Sequence, residues 1–559
     1  MEHKFEAPRT QGEEFPTDPS GLPEATRPAQ LELADGEVLE LRLAPVAKRL
    51  GDVTVRMLAY NGSIPGPTVR VKQGSEIVVQ VTNHGDMDTT VHWHGLRLEN
   101  KYDGVPHETQ QPIPVGGSFT YRLKFPDAGL YWYHPHIRED YGQELGLYGN
   151  IVVDPAEPDY WPPVHREVVL TLDDLLLEDG KIAPFSREET NYAAMGRFGN
   201  VLLIGGEPEQ SLTAKTGEVV RLYLTDTANT RVFNVRLPGA RMKLVGGDSG
   251  RYERAEFVEE VLLAPSERTV VDVLFDRPGQ LTLEHRTPDR TYTLATIAVA
   301  DERATPSLAA ELQTLRSAPE LVAEMDDPIG AGGGPVVYAC PMHPEVTSDQ
   351  PGRCPKCGMK LLPAQLVSAD SADTSGPHHM HGDDGGHGHD VEGDVEDHAG
   401  DGEAHHHGEA HGHGSAEGSG GIEWEDDMVD VNRLTTTATM HWRFVDRTAG
   451  AADTAPDWRF RVGERVKIRL VNEMDSDHPM HHPFHLHGAG RFLVLARDGV
   501  VEPNLVWKDT VLVRTGQTVD ILFDITEPGL WMAHCHIAEH MQSGMMFSFT
   551  VARDPAATR

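Results

Sequence analysis

Three stretches of this chain, far apart in sequence, carry the same pattern. GSEIVVQVTN (Gly74–Asn83), GEVVRLYLTD (Gly217–Asp226) and GERVKIRLVN (Gly463–Asn472) each set a glycine turn ahead of alternating apolar and polar residues. That alternation is the period of a strand with one face in a core and the other toward solvent. A second element follows each of them. FPDAGLYWYHPH (Phe125–His136) aligns residue for residue with ITEPGLWMAHCH (Ile525–His536), while the middle segment offers VLFDRPGQLTLEH (Val273–His285) without the paired histidines. The strands ahead of the two matching turns alternate as well, through Phe119, Tyr121, Leu123 and Phe125 and through Val519, Ile521, Phe523 and Ile525. Helical spacing is confined to Ser307–Met325. Three diverged copies of one β-sandwich account for all of this most economically.

At 559 residues the chain exceeds one core, and its composition divides it further. The expected layout is a flexible arm (1–30), a first sandwich (31–160), a second (161–302), a linker (303–335), a small cysteine-bearing module (336–364), a disordered His-rich acidic tract (365–422) and a third sandwich (423–555). The formal net charge of −38 argues against a nucleic-acid surface or anionic lipid, and 18 acidic residues with no Lys or Arg lie between Asp370 and Asp430. Four cysteines, three of them clustered, do not make a disulfide framework. No apolar run approaches the ~20 residues that cross a bilayer, so no membrane insertion is expected. The first residues, MEHKFEAPRTQGEEFPTDPSG, lack the basic and apolar regions of a secretory leader, which leaves a cytoplasmic protein and a processed exported one both open.

Four histidine clusters carry the chemistry: HWH (His92, His94), HPH (His134, His136), HPFHLH (His482, His485, His487) and HCH (His534, His536). In a strand, residues i and i+2 point the same way, so each H-x-H presents two imidazoles to one side. Four pairs facing one another supply eight nitrogen ligands, enough for three metal ions with positions left open. Cys535, between His534 and His536, must turn its sulfur to the opposite face. A lone cysteine more often packs as a small hydrophobe. Here His482, His540 and Met545 stand within its reach, and two imidazoles, a thiolate and a weak thioether form the trigonal set that favours electron-transferring copper.

With these motifs in this order and spacing, the chain resembles the three-domain multicopper oxidases over about residues 35–300 and 425–553. The resemblance implies three cupredoxin-like Greek-key sandwiches, the middle one without copper ligands, and four copper ions. It implies a type 1 copper on His482, Cys535 and His540 with Met545 axial, and a type 2 copper on His92 and His485. It implies a type 3 pair, one ion on His94, His134 and His534, the other on His136, His487 and His536. Such oxidases take electrons singly from a reductant at the type 1 site and reduce dioxygen to water at the trinuclear cluster, and they reside in the periplasm or outside the cell. Protons are consumed there, and Asp103 in LENKYDGVP stands at the family's distance after His94, as a donor or relay. Some relatives carry a glutamate directly after the last type 1 histidine. Met541 occupies that position here, and Glu539 is out of phase for it.

The module at 336–364 reads C-x2-H, ten residues, C-x2-C, giving Cys340, His343, Cys354 and Cys357 as ligands for one tetrahedral ion. It resembles heavy-metal-binding modules attached to copper transporters. Zinc suits it structurally, and Met342 and Met359 beside the ligands would favour cuprous copper. The tract behind it holds 11 histidines between His378 and His413, suited to weak metal capture. The expected reductant is cuprous ion, drawn by this insertion and by Met474, Met480, Met541, Met545 and Met546, or a phenol or aromatic amine. The alternative is a protein that sequesters copper without turnover. A two-domain nitrite reductase is disfavoured by the third sandwich.

Overall fold

The computed structural model describes residues 13–318, 420–448, 454–473 and 479–553, with a few positions between 321 and 363. The sequence periodicity is realised almost entirely as strands, which pair into three sandwiches. In the first, Val53–Tyr60, Val38–Leu50, Glu76–Asn83 and Ser118–Lys124 form one sheet. Gln30–Glu32, Thr68–Lys72, Gly149–Asp154, Gly129–His134 and His92–His94 form the other. The alternating residues Tyr121, Leu123 and Phe125 enter the core between them beside Trp93 and Tyr133. The second sandwich packs a six-stranded sheet against a five-stranded one around Leu172, Phe233 and Val271. The third repeats the plan, with Val519, Ile521, Phe523 and Ile525 all buried against Trp531 and Phe484.

Equivalent strands hold the histidine motifs in the first and third sandwiches. His92–His94 pairs antiparallel with Gly129–His134, His92 opposite His134. His482–Leu486 pairs antiparallel with Gly529–Cys535, His485 opposite His534. Cross-strand partners in such a ladder share a face, so each sandwich presents its imidazoles on one surface.

Residues 1–333 and 419–559 make one compact unit and 334–418 a second. Within the first unit the sandwiches are joined by backbone as well as side chains. Glu253 N–H donates to the Leu505 carbonyl (2.7 Å), and Asn504 bonds Arg254 through both its amide nitrogen and its oxygen. The second unit contains a sheet of Tyr338–Ala339 with Thr347–Ser348 and Leu362–Pro363.

Two expectations need correction. Residues 13–30, expected to be part of a mobile arm, are fastened down. Phe15 is buried, stacks on Tyr141 at 3.7 Å between centroids, and donates its N–H to the Phe185 carbonyl. The third sandwich, expected to open at 423, has its first strand at Arg459–Arg461, and a strap precedes it. Ile422 is buried, and beyond it the helical turn Val429–Asn432 is tied to the 194–196 loop. Asn432 receives the Met195 N–H (3.1 Å) and donates to the Gly196 carbonyl (2.9 Å), while Thr435 receives the Ala194 N–H (3.0 Å). The tract 365–418, Cys340, Cys354, Cys357, Met342, Met359 and Met474 lie outside the described residues.

Candidate metal centre

All eight cluster imidazoles meet where the first sandwich faces the third, and all are buried. Their nitrogens fall into groups within 4.8 Å: His92, His94 and His485; His94, His134 and His536; His136, His487 and His534. The last two groups exchange His534 and His536 relative to the expected type 3 sets. The cause is local. His534 Nδ1 is bonded to the Cys535 carbonyl (2.9 Å), which turns its Nε2 to 3.0 Å from His487 Nε2. His536 instead packs its ring 5.0 Å from both His94 and His134.

One nitrogen of most rings is anchored and the other is left over. His92 Nδ1 bonds the Asp103 carbonyl (2.7 Å), His134 Nδ1 the Pro135 carbonyl (2.8 Å) and His485 Nδ1 the Asp509 carbonyl (2.9 Å). His487 Nδ1 bonds Asp103 Oδ2 at 2.8 Å. His94 is held from the other side, Nε2 to Asp509 Oδ1 at 2.8 Å. The remaining nitrogens, Nε2 of His92, His134 and His485, Nδ1 of His94 and both of His536, have no hydrogen-bond partner. Six buried ring nitrogens without partners in one place are costly unless something binds them. Burial first, and neighbouring imidazoles second, hold His94, His134, His136, His485 and His534 far below the ordinary imidazole range. They are neutral, the form that coordinates metal.

Behind this cluster, on the opposite face of the same strand, lies the second group: His482, Cys535 and His540. Cys535 Sγ is 3.6 Å from His482 Nδ1 and 3.8 Å from His540 Nδ1, and the two nitrogens are 3.3 Å apart. Met545 belongs to the same buried cluster. Burial pushes the Cys535 thiol well above its ordinary range, so only a bound cation would make it a thiolate. The donor set fits copper.

The comparisons agree with this geometry. Multicopper oxidase family models match residues 45–158 and 425–555, and a heavy metal binding domain model matches 337–364. Both copper-type segments match multicopper oxidase models, and the protein is an oxidoreductase similar to that family. It is 27% identical to the multicopper oxidase MmcO of Mycobacterium tuberculosis, over 93% of this chain and 88% of that one. It is 25% identical to copper resistance protein A of Escherichia coli, over 91% and 92%. The fold matches a multicopper oxidase from Campylobacter jejuni described as a metallo-oxidase, at TM-score 0.60 and 21% identity over 96% and 98% of the two chains. It also matches a laccase-like oxidase from an Ochrobactrum species, at 0.62 and 19% over 94% and 100%. The oxidase is therefore a copper-dependent oxidoreductase, with dioxygen and a reducing substrate as its reactants.

Asp103 sits under this oxidase's cluster, fully buried, with Oδ1 3.4 Å from His92 Nδ1. Burial alone would raise its pKa, but His487 and His92 beside it hold the carboxylate well below its usual range. Gly104 makes the turn that puts it there. It has φ +87°, and a Cβ would lie 2.1 Å from the Val91 carbonyl oxygen.

Several groups around the site escaped the sequence reading. Trp442, on the strap, lies 4.4 Å from the His540 ring and 5.0 Å from His482, pinned by Nε1–H to the Ala193 carbonyl. Nothing in MHWRF marks it as a metal-site residue. Glu139 and Glu539 are fully buried, each three residues beyond the second histidine of its motif, HPHIRE and HCHIAE. That equivalence was visible in the aligned repeats. Glu139 Oε1 is 3.2 Å from His136 Nδ1. Burial, with Asp140 adding to it, pushes Glu539 up to about 8, and Met541 beside it is a buried apolar residue.

Proposed function

We propose that the oxidase binds four copper ions and couples one-electron oxidation of cuprous ion or a phenol to reduction of dioxygen to water. The observation that carries this reading is the alternation at His534–Cys535–His536. Imidazoles on one face and sulfur on the other leave a single peptide segment bridging two donor sets. His482, Cys535 and His540, with Met545, would hold the type 1 ion, and His92 with His485 the type 2 ion. His94, His134 and His536 would hold one type 3 ion, and His136, His487 and His534 the other. Copper supplies single-electron acceptance at the sulfur site and dioxygen reduction at the cluster.

The chain's own groups prepare each site. Ile537 N–H points at Cys535 Sγ (3.5 Å), steadying the sulfur in a pocket closed by Trp442. Asp103 accepts the His487 Nδ1–H and, as an ionised carboxylate beside the cluster, takes up and passes on the protons that water formation consumes. Buried Met195 and Met480 share the apolar cluster of Cys535, with Met428 and Met440 packed against it. Thioethers suit cuprous ion, and His482 is only 6% exposed, which favours a small ion over a bulky phenol. The module's Cys340, His343, Cys354 and Cys357, binding zinc or cuprous copper, and the following histidines would raise the local copper concentration. Among the described residues no helix is long and apolar enough to cross a membrane. Periplasmic or extracellular residence is the family's expectation, and recovery only from cytoplasmic fractions would overturn it.

A metal count with absorption and paramagnetic resonance spectra tests the copper assignment. Rates on cuprous ion and on a dimethoxyphenol, measured with and without residues 334–418, test the substrate. Faster phenol than cuprous turnover in both forms would reverse our order. Full copper loading without oxygen uptake would leave a sequestering protein instead.

A further inference from the structure

The middle sandwich has no histidine pair, yet one of its side chains reaches the metal centre. Arg268, first residue of the strand Arg268–Phe275, is fully buried. Its guanidinium grips Asp509 of the third sandwich with both terminal nitrogens, Nη1–Oδ1 2.6 Å and Nη2–Oδ2 2.5 Å. Its Nε–H donates to the Leu130 carbonyl of the first sandwich (2.9 Å), and Nη1 also donates to Ser266 (2.9 Å). A guanidinium held this way cannot rotate, and a carboxylate facing its fork has its plane fixed.

Asp509 in turn sets two imidazoles. Its Oδ1 is 2.8 Å from His94 Nε2, and its carbonyl receives the His485 Nδ1–H at 2.9 Å. Thr510 Oγ1 fills the gap between them, 3.1 Å from His94 Nε2 and 3.2 Å from His485 Nδ1. The two rings stack at 3.8 Å with 18° between planes. With His94 Nε2–H donating to the carboxylate, the ring's free electron pair sits on Nδ1, the nitrogen with no other partner. The arrangement also explains the glycine of HWHG. Gly95 has φ +83°, and a Cβ there would stand 2.4 Å from Asp509 Oδ2 and 2.7 Å from Arg268 Nη2.

We infer that Arg268 and Asp509 are positioning residues, a clamp supplied partly by the copper-free sandwich that fixes the tautomer and orientation of His94 and His485. The inference rests on the ligand reading above, and the test separates the two. Full-length holoenzyme is compared with Arg268→Met, Arg268→Lys and Arg221→Met. Arg221 forms an equally buried pair with Asp272 in the same sheet (2.8 and 3.0 Å) but touches no histidine. Copper per chain under chelator competition, the type 1 colour and the type 2 resonance are recorded for each.

Arg268→Met is expected to keep the colour and release cluster copper about 10–100-fold more readily, the usual range for losing such an outer partner. Arg268→Lys falls between, because a point charge cannot hold both oxygens, and Arg221→Met retains copper like the parent. Parent-like retention in Arg268→Met, or equal loss in Arg221→Met, overturns the clamp. Should Arg268→Met not fold, Arg268→Lys decides, loosened cluster copper supporting the clamp and unchanged copper overturning it. A parent that holds no cluster copper sinks the ligand reading and the clamp with it.

Discussion

Cys535 cannot ionise by itself in its apolar pocket, so the ligand field at that position depends on the sulfur and the metal arriving together. Cys535→Ser should abolish the blue absorption and lower the copper count by about one ion while the cluster stays loaded, because a hydroxyl does not replace a thiolate there. A variant that stayed blue would refute the type 1 assignment. His285 makes a different prediction. It stands in the middle repeat where the other repeats carry metal-type histidines, but burial, with Arg231 nearby, pushes it down to about 3. Its Nδ1 accepts the Asn234 N–H at 3.1 Å, which protonation would forbid. In the unfolded chain an imidazole takes its proton near pH ~6.5. The stability from keeping His285 neutral is therefore complete above that pH and drains away as pH falls toward 3. Unfolding midpoints of the copper-free protein at neutral pH and near pH ~4.5 should diverge less in His285→Gln than in the parent. The histidines and Cys535 were legible because H-x-H spacing fixes a face whatever the surroundings. Asp509 and Arg268 were not, since each acquires meaning only from a partner 241 residues away.

Among the elements, the strap and the Gly104 turn are the most informative. Trp442 covers two imidazoles that a phenol would have to approach. Trp442→Ala should raise kcat/KM for dimethoxyphenol relative to cuprous ion, at a stability cost below the ~3–5 kcal/mol of a fully buried tryptophan. An unchanged ratio of the two substrates would remove the strap from selectivity. At the Asp103 turn, Gly104→Ala forces a side chain into left-handed backbone at roughly 1–2 kcal/mol, with the clash against Val91 added. Calorimetry should report a lower midpoint, and chelator competition weaker cluster copper. The strands themselves were readable, since alternation survives any context. The strap was read only as the opening of the third sandwich. Its order comes from Asn432 and Thr435 fastening to another sandwich rather than from periodicity of its own.

For the whole molecule, three repeats announced three sandwiches, but nothing in them said which surfaces would meet. That is decided by pairings such as Asn504 with Arg254, which have no local signature. The buried Ile422 also moves the proper boundary of the insertion, so a deletion must stop at 418. Excising 334–418 is expected to leave the midpoint and copper content of the remaining body unchanged while slowing cuprous oxidation several-fold at limiting copper. Equal rates at every copper concentration would take the module out of the reaction.

One further consequence lies in where the imidazoles come from. Half of the cluster belongs to residues 92–136 and half to 485–536, so neither sandwich holds the cluster alone. A ribosome that has delivered only the first has made four imidazoles with no counterparts, and the set stays incomplete until the strand through Cys535 emerges. Loading thus reports on completed synthesis. A chain cut short before that strand is colourless and inert however well its earlier parts have folded.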